Sequence, residues 1–258
     1  MLILLHTSKT MRTSATNSIT ATQPALIEHA QELQSYLKSL NIKELARSMK
    51  ISEKLAVQVS AKVHAWQPIG SGPAAGMFLG DIFSGLQVQT WSKSDWEYAR
   101  DNLRILSGLY GVLKPTDSID SYRLEMGYRF SKEPYKNLYK FWGNTISEQL
   151  PFSDVVVNLS AVEYSKAITS YVDGKVVIAP KFLTVNEKLG EPTFVVVHAK
   201  IARGAFARWM IANKVNDASQ LTSFNELGYN YSQKMSSPLE PVFICNEFGG
   251  IGLSVRLT

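Results

Sequence analysis

Short apolar runs at the start of the chain and in its C-terminal half predict β-strands that do not alternate regularly with helices. Residues 2–5 read LILL, and the segments DVVVNLS, KVVIAPKF and TFVVVHAK follow one another from residue 154. Apolar, β-branched runs of this length are typical of buried strands. A regular strand–helix repeat would predict a doubly wound sheet, whereas this irregular order predicts an α+β fold. We therefore expect one mixed α/β domain over residues 1–258, with a central sheet and surrounding helices.

Amphipathic spacing and helix-start residues predict the helices. Pro24 stands at the start of one helix, and Ser52 and Ser94 are candidate N-caps of two others. SYRLEMGYRF fits a strand or a turn, AVEYSKAI a short helix, and PVFICNEF and GLSVRLT two terminal strands. Helices are predicted over residues 24–40, 95–107, 134–149 and 201–214, and two short helices over residues 42–50 and 53–65.

Composition restricts the class of protein. Hydrophobic residues make up 45% of the chain, which is enough for a large core. No window of about 18 apolar residues occurs, so no membrane-spanning helix and no membrane partner are expected. MLILL is too short for a signal-peptide core, and the single cysteine, Cys245, excludes an internal disulfide. These features predict a cytoplasmic protein, and the net charge of +5 fits a polyanionic partner.

The metal-ligating residue types predict neither a metal site nor a cofactor. The four histidines, at positions 6, 29, 64 and 198, do not pair at a ligand spacing, and no H-x-E or C-x-x-C motif occurs. The glycine-rich stretch GSGPAAG lacks the Gly-Lys-Ser/Thr ending of a P-loop, and its proline argues against a Rossmann turn. It is interpreted as a flexible loop.

The polar loop after the first strand is a candidate catalytic or anion-binding element. Residues 7–22 read TSKTMRTSATNSITAT, with Lys9 between two hydroxyl residues. Open α/β sheets often bind ligands at such a strand end, so Lys9 fits a Ser–Lys pair, an anion clamp or a solvated loop. Asp81, Glu125 and Glu163 lie in apolar or aromatic surroundings, and each fits either a structural ion pair or a general base.

Basic residues at a strand–helix junction predict a phosphate-binding cleft. Lys200, Arg203 and Arg208 border or lie on the predicted helix over residues 201–214. Arg203 and Arg208 are separated by about 140° around a helix, so both can border a groove without sharing the centre of one face. Several cationic side chains entering one cleft favour the phosphate of a nucleotide or a nucleic acid.

The stretch RILSGLYGVLKP, which begins at Arg104, fits two structures. Gly108 and Gly111 follow a predicted helix, so they fit a glycine helix stop. The same GLYG fits the turn of a helix-hairpin-helix, in which backbone N–H groups approach a phosphate without reading bases. Arg104 and Lys114 would then supply flanking charge. The predicted helices within residues 42–65 are an alternative location for such an element.

Seven strings of the sequence occur in the order found in a known family: HTSKT, FLGDIFSGLQ, LRILSGLYGVLKP, YRLEMG, LYKFWGN, VNLSAVEYSKAI and AKIARG. On these strings the chain resembles the YaaA family of bacterial peroxide-stress proteins over essentially its whole length. The resemblance implies a mixed α/β fold with a positively charged cleft and a helix-hairpin-helix element. It further implies DNA binding, resistance to hydrogen peroxide and a lowering of free intracellular iron, but no established reaction.

The chain departs from the family's pattern at two places. The family usually has Ser-Pro-Ala before the Lys-Thr of its first loop, and His6, Thr7 and Ser8 stand there in this chain. The family's usual Lys and Tyr around the Gly-Asp motif are Leu79 and Phe83 here, which removes one charge and one hydroxyl. Any role of those groups in the family is weakened in this chain.

The residues and the resemblance together give a leading hypothesis and an alternative. The leading hypothesis is an oxidative-stress protein that binds double-stranded or structured DNA without sequence preference. Its expected DNA- or phosphate-binding residues are Lys9, Arg104, Gly108, Gly111, Lys114, Arg123, Lys181, Lys200, Arg203 and Arg208. The alternative is an enzyme acting on a phosphate-bearing small molecule or nucleic acid, with candidate catalytic residues Lys9, Thr10, Asn158, Glu163 and Tyr164. Direct iron sequestration ranks last, because imidazole and thiol ligands are few.

Overall fold

The computed structural model describes residues 1–15, 19–130 and 134–250. Its strands are β1 (Leu2–His6), β2 (Thr10–Met11), β3 (Gly72–Pro73), β4 (Phe78–Leu79), β5 (Leu103–Ser107), β6 (Gly111–Leu113), β7 (Ser118–Ile119), β8 (Val155–Asn158), β9 (Val176–Ile178), β10 (Lys181–Val185), β11 (Pro192–Thr193), β12 (Tyr229–Tyr231) and β13 (Val242–Cys245). Its helices are α1 (Ile27–Lys38), α2 (Ile42–Met49), α3 (Glu53–Ala65), α4 (Ala74–Met77), α5 (Asp81–Leu86), α6 (Lys93–Asn102), α7 (Leu138–Trp142), α8 (Thr145–Glu148), α9 (Val162–Ser165), α10 (Thr169–Val172) and α11 (Val196–Ala212). Short 3-10 helices cover Val88–Thr90, Lys166–Ile168, Ala218–Ser223 and Gln233–Met235.

The larger sheet is built around β1. Its five strands lie in the order β6-β5-β1-β8-β9, and β1 is parallel to both β5 and β8. β9 extends the parallel part beside β8, whereas β6 folds back antiparallel on β5. All five residues of β1 are buried, because LILLH is apolar up to its last residue and both of its edges are covered by other strands. The strand predicted over residues 2–5 is confirmed.

A second sheet of four strands is formed in the C-terminal half. Its order is β11-β10-β13-β12, with β10 parallel to β13. The ring of Phe182 on β10 lies 5.7 Å from that of Phe206 on α11 and 5.5 Å from that of Phe243 on β13. One hydrophobic cluster contains residues of both sheets, including Leu4 and Phe182. The mixed, irregular order of strands and helices confirms the predicted α+β class.

Helix α11 crosses α5 at two glycines. A Cβ on Gly204 would lie 1.8 Å from the carbonyl oxygen of Ile82, and one on Gly85 would lie 2.0 Å from a carbonyl oxygen of α11. The two backbones therefore touch, which only residues without a side chain permit. At the start of α5, a Cβ on Gly80 would lie 2.6 Å from Oγ of Ser8, so the loop after β1 rests on the same helix. Through α5, both this loop and α11 are held in place.

The helix predicted over residues 95–107 is shorter in the structure. α6 is capped by Ser92 rather than by Ser94, and it ends at Asn102. The next five residues form β5 and pair with β1 and β6. All five are buried, so pairing within the sheet outweighs their helix-like spacing. GLYG consequently connects two antiparallel strands, and a helix-hairpin-helix at this position is not confirmed.

Two other predictions of helices and strands also differ from the structure. The helix predicted over residues 134–149 is interrupted at Gly143, whose φ of 47° ends α7 before α8 begins. TFVVVHAK contributes only its first residue to a strand, and α11 begins at Val196, before the predicted start at residue 201. β-branched residues favour strands only weakly, and Val196 and Val197 are exposed rather than buried as in a central strand.

Helices α2 and α3 confirm the helices predicted over residues 42–50 and 53–65. The side chain of Ser52 accepts the N–H of Leu55 and is the predicted N-cap. SYRLEMGYRF forms a turn-rich loop rather than a strand. The strand predicted for GLSVRLT lies outside the described residues. Among the helices of the described ranges, none has the length and apolar character needed to span a bilayer.

Candidate functional site at the carboxyl edge of the central sheet

The carboxyl end of β1 lies between the ends of two parallel neighbours. β5 and β8 flank β1 on opposite sides, so the loops that follow these strands leave in different directions. In parallel sheets, ligands commonly bind at such a point. His6 ends β1, Ser107 ends β5 and Asn158 ends β8. These strand ends, the loops that follow them and the first turns of α11 are here called the carboxyl edge.

Four hydroxyl groups form hydrogen bonds inside the carboxyl edge. Thr7 donates to the phenol oxygen of Tyr164 over 3.1 Å, and the hydroxyls of Ser107 and Tyr122 lie 2.6 Å apart. Burial raises the pKa of both phenols, so both stay protonated at physiological pH. The cluster therefore offers neutral donors and acceptors rather than charge.

Two glutamates belong to this region and have different surroundings. Glu163 accepts a 2.6 Å hydrogen bond at Oε1 from the backbone N–H of Gly127. Glu125 forms a 3.1 Å ion pair through Oε2 with Nζ of Lys9, and its Oε1 is buried without a hydrogen-bond partner among the described residues. Burial raises the pKa of Glu125 against the opposing effect of Lys9. Glu125 is therefore the better candidate for accepting or donating a proton.

His6 is a buried, neutral imidazole. Its Nδ1 accepts a 3.1 Å hydrogen bond from the backbone N–H of Ala161, and its ring lies 4.9 Å from that of Tyr164. Burial, together with the charges of Arg203 and Lys200, lowers the pKa of His6 to about 3. Because Nδ1 is an acceptor in this neutral ring, the single ring proton resides on Nε2.

Lys200 and Arg203 bring positive charge to this edge from α11. Lys200 is exposed and Arg203 is half-buried. Burial lowers the pKa of Arg203, and no acidic group offsets this effect. In the described part of the chain, neither side chain has a carboxylate within ion-pair distance.

Three other cations of the predicted set have different surroundings. Arg208 pairs with Glu226, and Nζ of Lys181 lies 2.9 Å from Glu240. Nε of Arg123 is buried without a hydrogen-bond partner in the described ranges. Of these three, Arg208 and Lys181 already have their charge balanced within the chain.

The residues of the β5–β6 hairpin do not lie on an open surface. Arg104 is buried and donates from Nη1 to two backbone carbonyl oxygens, each at 2.8 Å. Gly108 and Gly111 are buried as well, and the carbonyl oxygen of Gly108 accepts a 3.1 Å hydrogen bond from Nε1 of Trp142. Only Lys114 is exposed. The first three therefore lack the accessible surface that phosphate contact requires.

Two of the predicted catalytic residues stabilise loops. The N–H of Thr10 donates to Oγ of Ser8 over 3.3 Å. Oδ1 of Asn158 accepts from the N–H and the hydroxyl of Ser160, at 3.0 and 2.6 Å. Thr10 is exposed and makes this contact through its backbone, whereas Oδ1 of Asn158 is already committed to the loop after β8.

The sequence-based set of site residues omits His6, Ser107 and Tyr122. The sequence left Glu125 open between a structural ion pair and a general base, and the structure shows its ion pair with Lys9. His6 had a signal, because it ends the first strand three residues before Lys9 and departs from the family's pattern. Ser107 and Tyr122 lie within the family strings LSGLYG and YRLEMG, but nothing local indicates that they meet. Among the described residues, no three His, Cys, Asp or Glu side chains cluster so that they could hold a metal ion.

Comparison with known proteins places the chain in a family. The family model described as peroxide stress protein YaaA matches residues 1–235. The chain belongs to the YaaA family. A relative from Salinispora tropica, described as a UPF0246 protein, is 49% identical over 258 residues, covering 99% of this chain and 98% of the relative. The YaaA description supports a general role in oxidative stress.

This YaaA member is apolar at the two positions where the resemblance implies Lys and Tyr. Phe83 is buried, with its ring 5.1 Å from that of Phe78. Leu79 pairs with Thr10 in the two-stranded β2–β4 ladder. The loop after β1 is thus held by apolar packing and backbone pairing at the place where the family pattern has polar groups.

Proposed function

We propose that this YaaA-family protein acts in the oxidative-stress response by binding DNA without sequence preference through its carboxyl edge. The observation that supports this best is the pair of α11 cations, Lys200 and Arg203, without carboxylate partners in the described residues. Lys9 and Arg123 also belong to the predicted set and lie close enough to act electrostatically on Glu125, with which Lys9 is already paired. Cations aligned on phosphates bind the backbone irrespective of base sequence.

The test is a fluorescence-anisotropy titration of a labelled duplex at several salt concentrations. The double variant Lys200→Gln/Arg203→Gln should weaken binding and reduce the log–log salt slope by about 0.9 for each phosphate that the variant no longer neutralises. The control, Lys93→Gln/Arg100→Gln, removes the same charge from the exposed surface of α6 and should leave the slope unchanged. An unaltered slope and affinity in the α11 variant would reject this surface.

A second candidate function is an enzyme that acts on a phosphate-bearing small molecule or nucleic acid. The buried, unpartnered Oε1 of Glu125 favours it, because desolvated carboxylates beside a cation are typical of proton-transfer residues. Within the predicted catalytic set, Lys9 forms the ion pair with this carboxylate. Tyr164 belongs to the cluster of hydrogen-bonded hydroxyl groups at the same edge. The candidate base shifts from Glu163 to Glu125.

We extend the leading proposal to the lowering of free intracellular iron that the resemblance implies. We assign no metal-binding residues to this effect. In this proposal the effect on iron follows from DNA binding.

A further inference from the structure

A cavity lies between α1 and the segment that leads into α7, and none of the strand ends of the carboxyl edge contributes to it. Its volume is about 470 Å³, which is within the range of small-molecule pockets. The side chains that give it its chemistry are aromatic or charged: His29, Glu32, Tyr135, Lys136, Lys140 and Phe141. This combination sets the cavity apart from an ordinary surface depression.

Three rings line the cavity and contact one another. The ring of Phe141 lies 4.9 Å from that of Tyr135 and 6.1 Å from that of His29, nearly perpendicular to both. His29 in turn stacks on the buried Trp142 at 5.7 Å. The three lining rings are half-buried, so part of each is packed and part remains accessible. Because their neighbours hold them in place, they offer a preorganised surface to a planar ligand.

The charged side chains of the cavity are two lysines and one glutamate. Lys136 and Lys140 are exposed, and in the described ranges neither forms an ion pair with a carboxylate. Glu32 accepts the hydroxyl of Tyr135 at Oε1. With His29 neutral, the two lysines and Glu32 give the lining a net charge of +1. Positive charge therefore exceeds negative charge beside the aromatic rings.

The rings and the lysines together favour a ligand with an aromatic ring and an anionic group. An inorganic anion would make no use of the rings, and a neutral aromatic molecule would make no use of the lysines. A nucleotide has both parts, because every base has a π-face that stacks on aromatic side chains and its phosphate attracts lysines. A volume of about 470 Å³ accommodates one nucleotide rather than a duplex.

We propose that this cavity binds a single nucleotide, either free or at the unpaired end of a strand. The base stacks on the rings of Tyr135 and Phe141, and the phosphate binds Lys136 and Lys140. The proposal goes beyond the proposed function, because it uses none of the residues of the carboxyl edge.

Glu32 gives the cavity a preference among bases. A carboxylate has about four acceptor positions, and the phenol of Tyr135 occupies one of them. Glu32 can therefore accept a further N–H from the base. Cytosine presents an amino group where uracil, like thymine, presents a carbonyl oxygen, so Glu32 favours cytosine of these two bases.

The first experiment is isothermal titration calorimetry of the full-length protein with AMP, adenosine and inorganic phosphate. AMP should bind at least tenfold more tightly than the other two, because only AMP contacts both the rings and the lysines. Lys136→Gln/Lys140→Gln should weaken AMP binding at least tenfold and remove its advantage over adenosine. Tyr135→Leu should weaken the binding of both ligands.

Lys93→Gln/Lys234→Gln is the matched control, because it removes the same charge at two exposed lysines outside the cavity. It should leave the affinity for AMP unchanged. Absence of AMP binding, or AMP binding that the Lys136/Lys140 variant does not weaken, overturns the proposal. Because both lysines are exposed, this variant is expected to fold like the wild type.

CMP and UMP test the role of Glu32, since the two pyrimidines are matched in size. CMP should bind several-fold more tightly than UMP, and Glu32→Gln should narrow the difference, because an amide both donates and accepts hydrogen bonds. Equal binding of CMP and UMP to the wild type would overturn the recognition of the base by Glu32.

The last experiment distinguishes a free nucleotide from a strand end. A labelled single strand with a 5′-phosphate is titrated by anisotropy against the wild type and the Lys136/Lys140 variant. Weaker binding to the variant identifies the strand end as a ligand, whereas unchanged strand binding together with AMP binding identifies a free nucleotide. Duplex binding that depends on Lys200 and Arg203, without AMP binding, rejects this cavity alone. AMP binding without duplex binding supports the cavity and rejects the DNA-binding function instead.

Discussion

Single residues at the carboxyl edge combine permanent cations with neutral donors. His6 is neutral because burial, Arg203 and Lys200 lower its pKa to about 3. The phenols of Tyr122 and Tyr164 are neutral because burial raises their pKa. These three donors are therefore uncharged at physiological pH, and the charge of the edge comes from its lysines, arginines and glutamates.

The pKa of His6 predicts a specific loss of stability in acid. The unfolded imidazole binds a proton below about pH 6.5, whereas the folded ring does not until about pH 3. The unfolded state therefore binds more protons in this window, and the free energy of unfolding falls as the pH falls. Relative to His6→Ser, the wild type should lose about 2 kcal/mol between pH 7.5 and pH 5.

Urea denaturation of both proteins at the two pH values measures this difference. The three other histidines and all the carboxylates are common to both proteins, so their contributions largely cancel in the comparison. A parallel change in both proteins would mean that His6 is protonated in the folded state, and it would remove the neutral donor from the carboxyl edge.

Residue types at the site could be predicted from the sequence, but their pairing could not. The sequence predicts the same role, a free cation near one helix, for Lys200, Arg203 and Arg208. Arg208 binds Glu226, 18 positions away, which no local spacing indicates. The same holds for Glu125 and Glu163, which the sequence cannot rank because burial and the position of Lys9 decide the pKa of Glu125.

At the scale of single elements, helices with local capping signals could be predicted from the sequence, whereas a strand that depends on long-range pairing could not. α2 and α3 were predictable because Asn41 and Ser52 cap them within three residues of sequence. β5 was not, because its strand state depends on pairing with β1, about a hundred residues earlier in the chain. LRILS has helix-compatible spacing after α6, and only the presence of a buried neighbour makes it a strand.

The contact between α5 and α11 predicts a large effect of a small substitution. Gly204→Ala would place Cβ 1.8 Å from the carbonyl oxygen of Ile82, so the two helices must separate. Overpacking of this kind costs about 3 kcal/mol. The free energy of unfolding, measured by urea denaturation, should fall by that amount. DNA binding should weaken as well, because α11 carries Lys200 and Arg203.

Gly76→Ala is the matched control for this substitution. A Cβ there would lie no closer than 3.4 Å to its nearest neighbour, which is an ordinary contact. This helical glycine should accept alanine with a change within about 1 kcal/mol, because alanine has the higher helix propensity. Equal stabilities of the two variants would show that α5 and α11 move apart without cost, against the contact described here.

At the scale of the whole molecule, the two sheets share one core although their strands come from different parts of the chain. The α+β class followed from the irregular order of strands and helices in the sequence. The sheet order did not, because β1 lies between two strands that begin about a hundred and a hundred and fifty residues later. No periodicity in the sequence indicates which strands become neighbours. The position of the carboxyl edge could therefore be determined only from the structure.

The shared core predicts that both sheets unfold together, as expected for a single domain over the whole chain. Hydrogen exchange followed by mass spectrometry should give the same highest opening free energy for β1 and β8 as for β10 and β13, because one hydrophobic cluster includes both sheets. The short 3-10 helix Gln233–Met235, which contains no buried residue, should exchange at much lower free energy and serves as the internal control.

If the second sheet opened about 2 kcal/mol or more below the first, the chain would contain two cooperative units. In that case α11, which packs on β10 and on α5, would be the element that couples them.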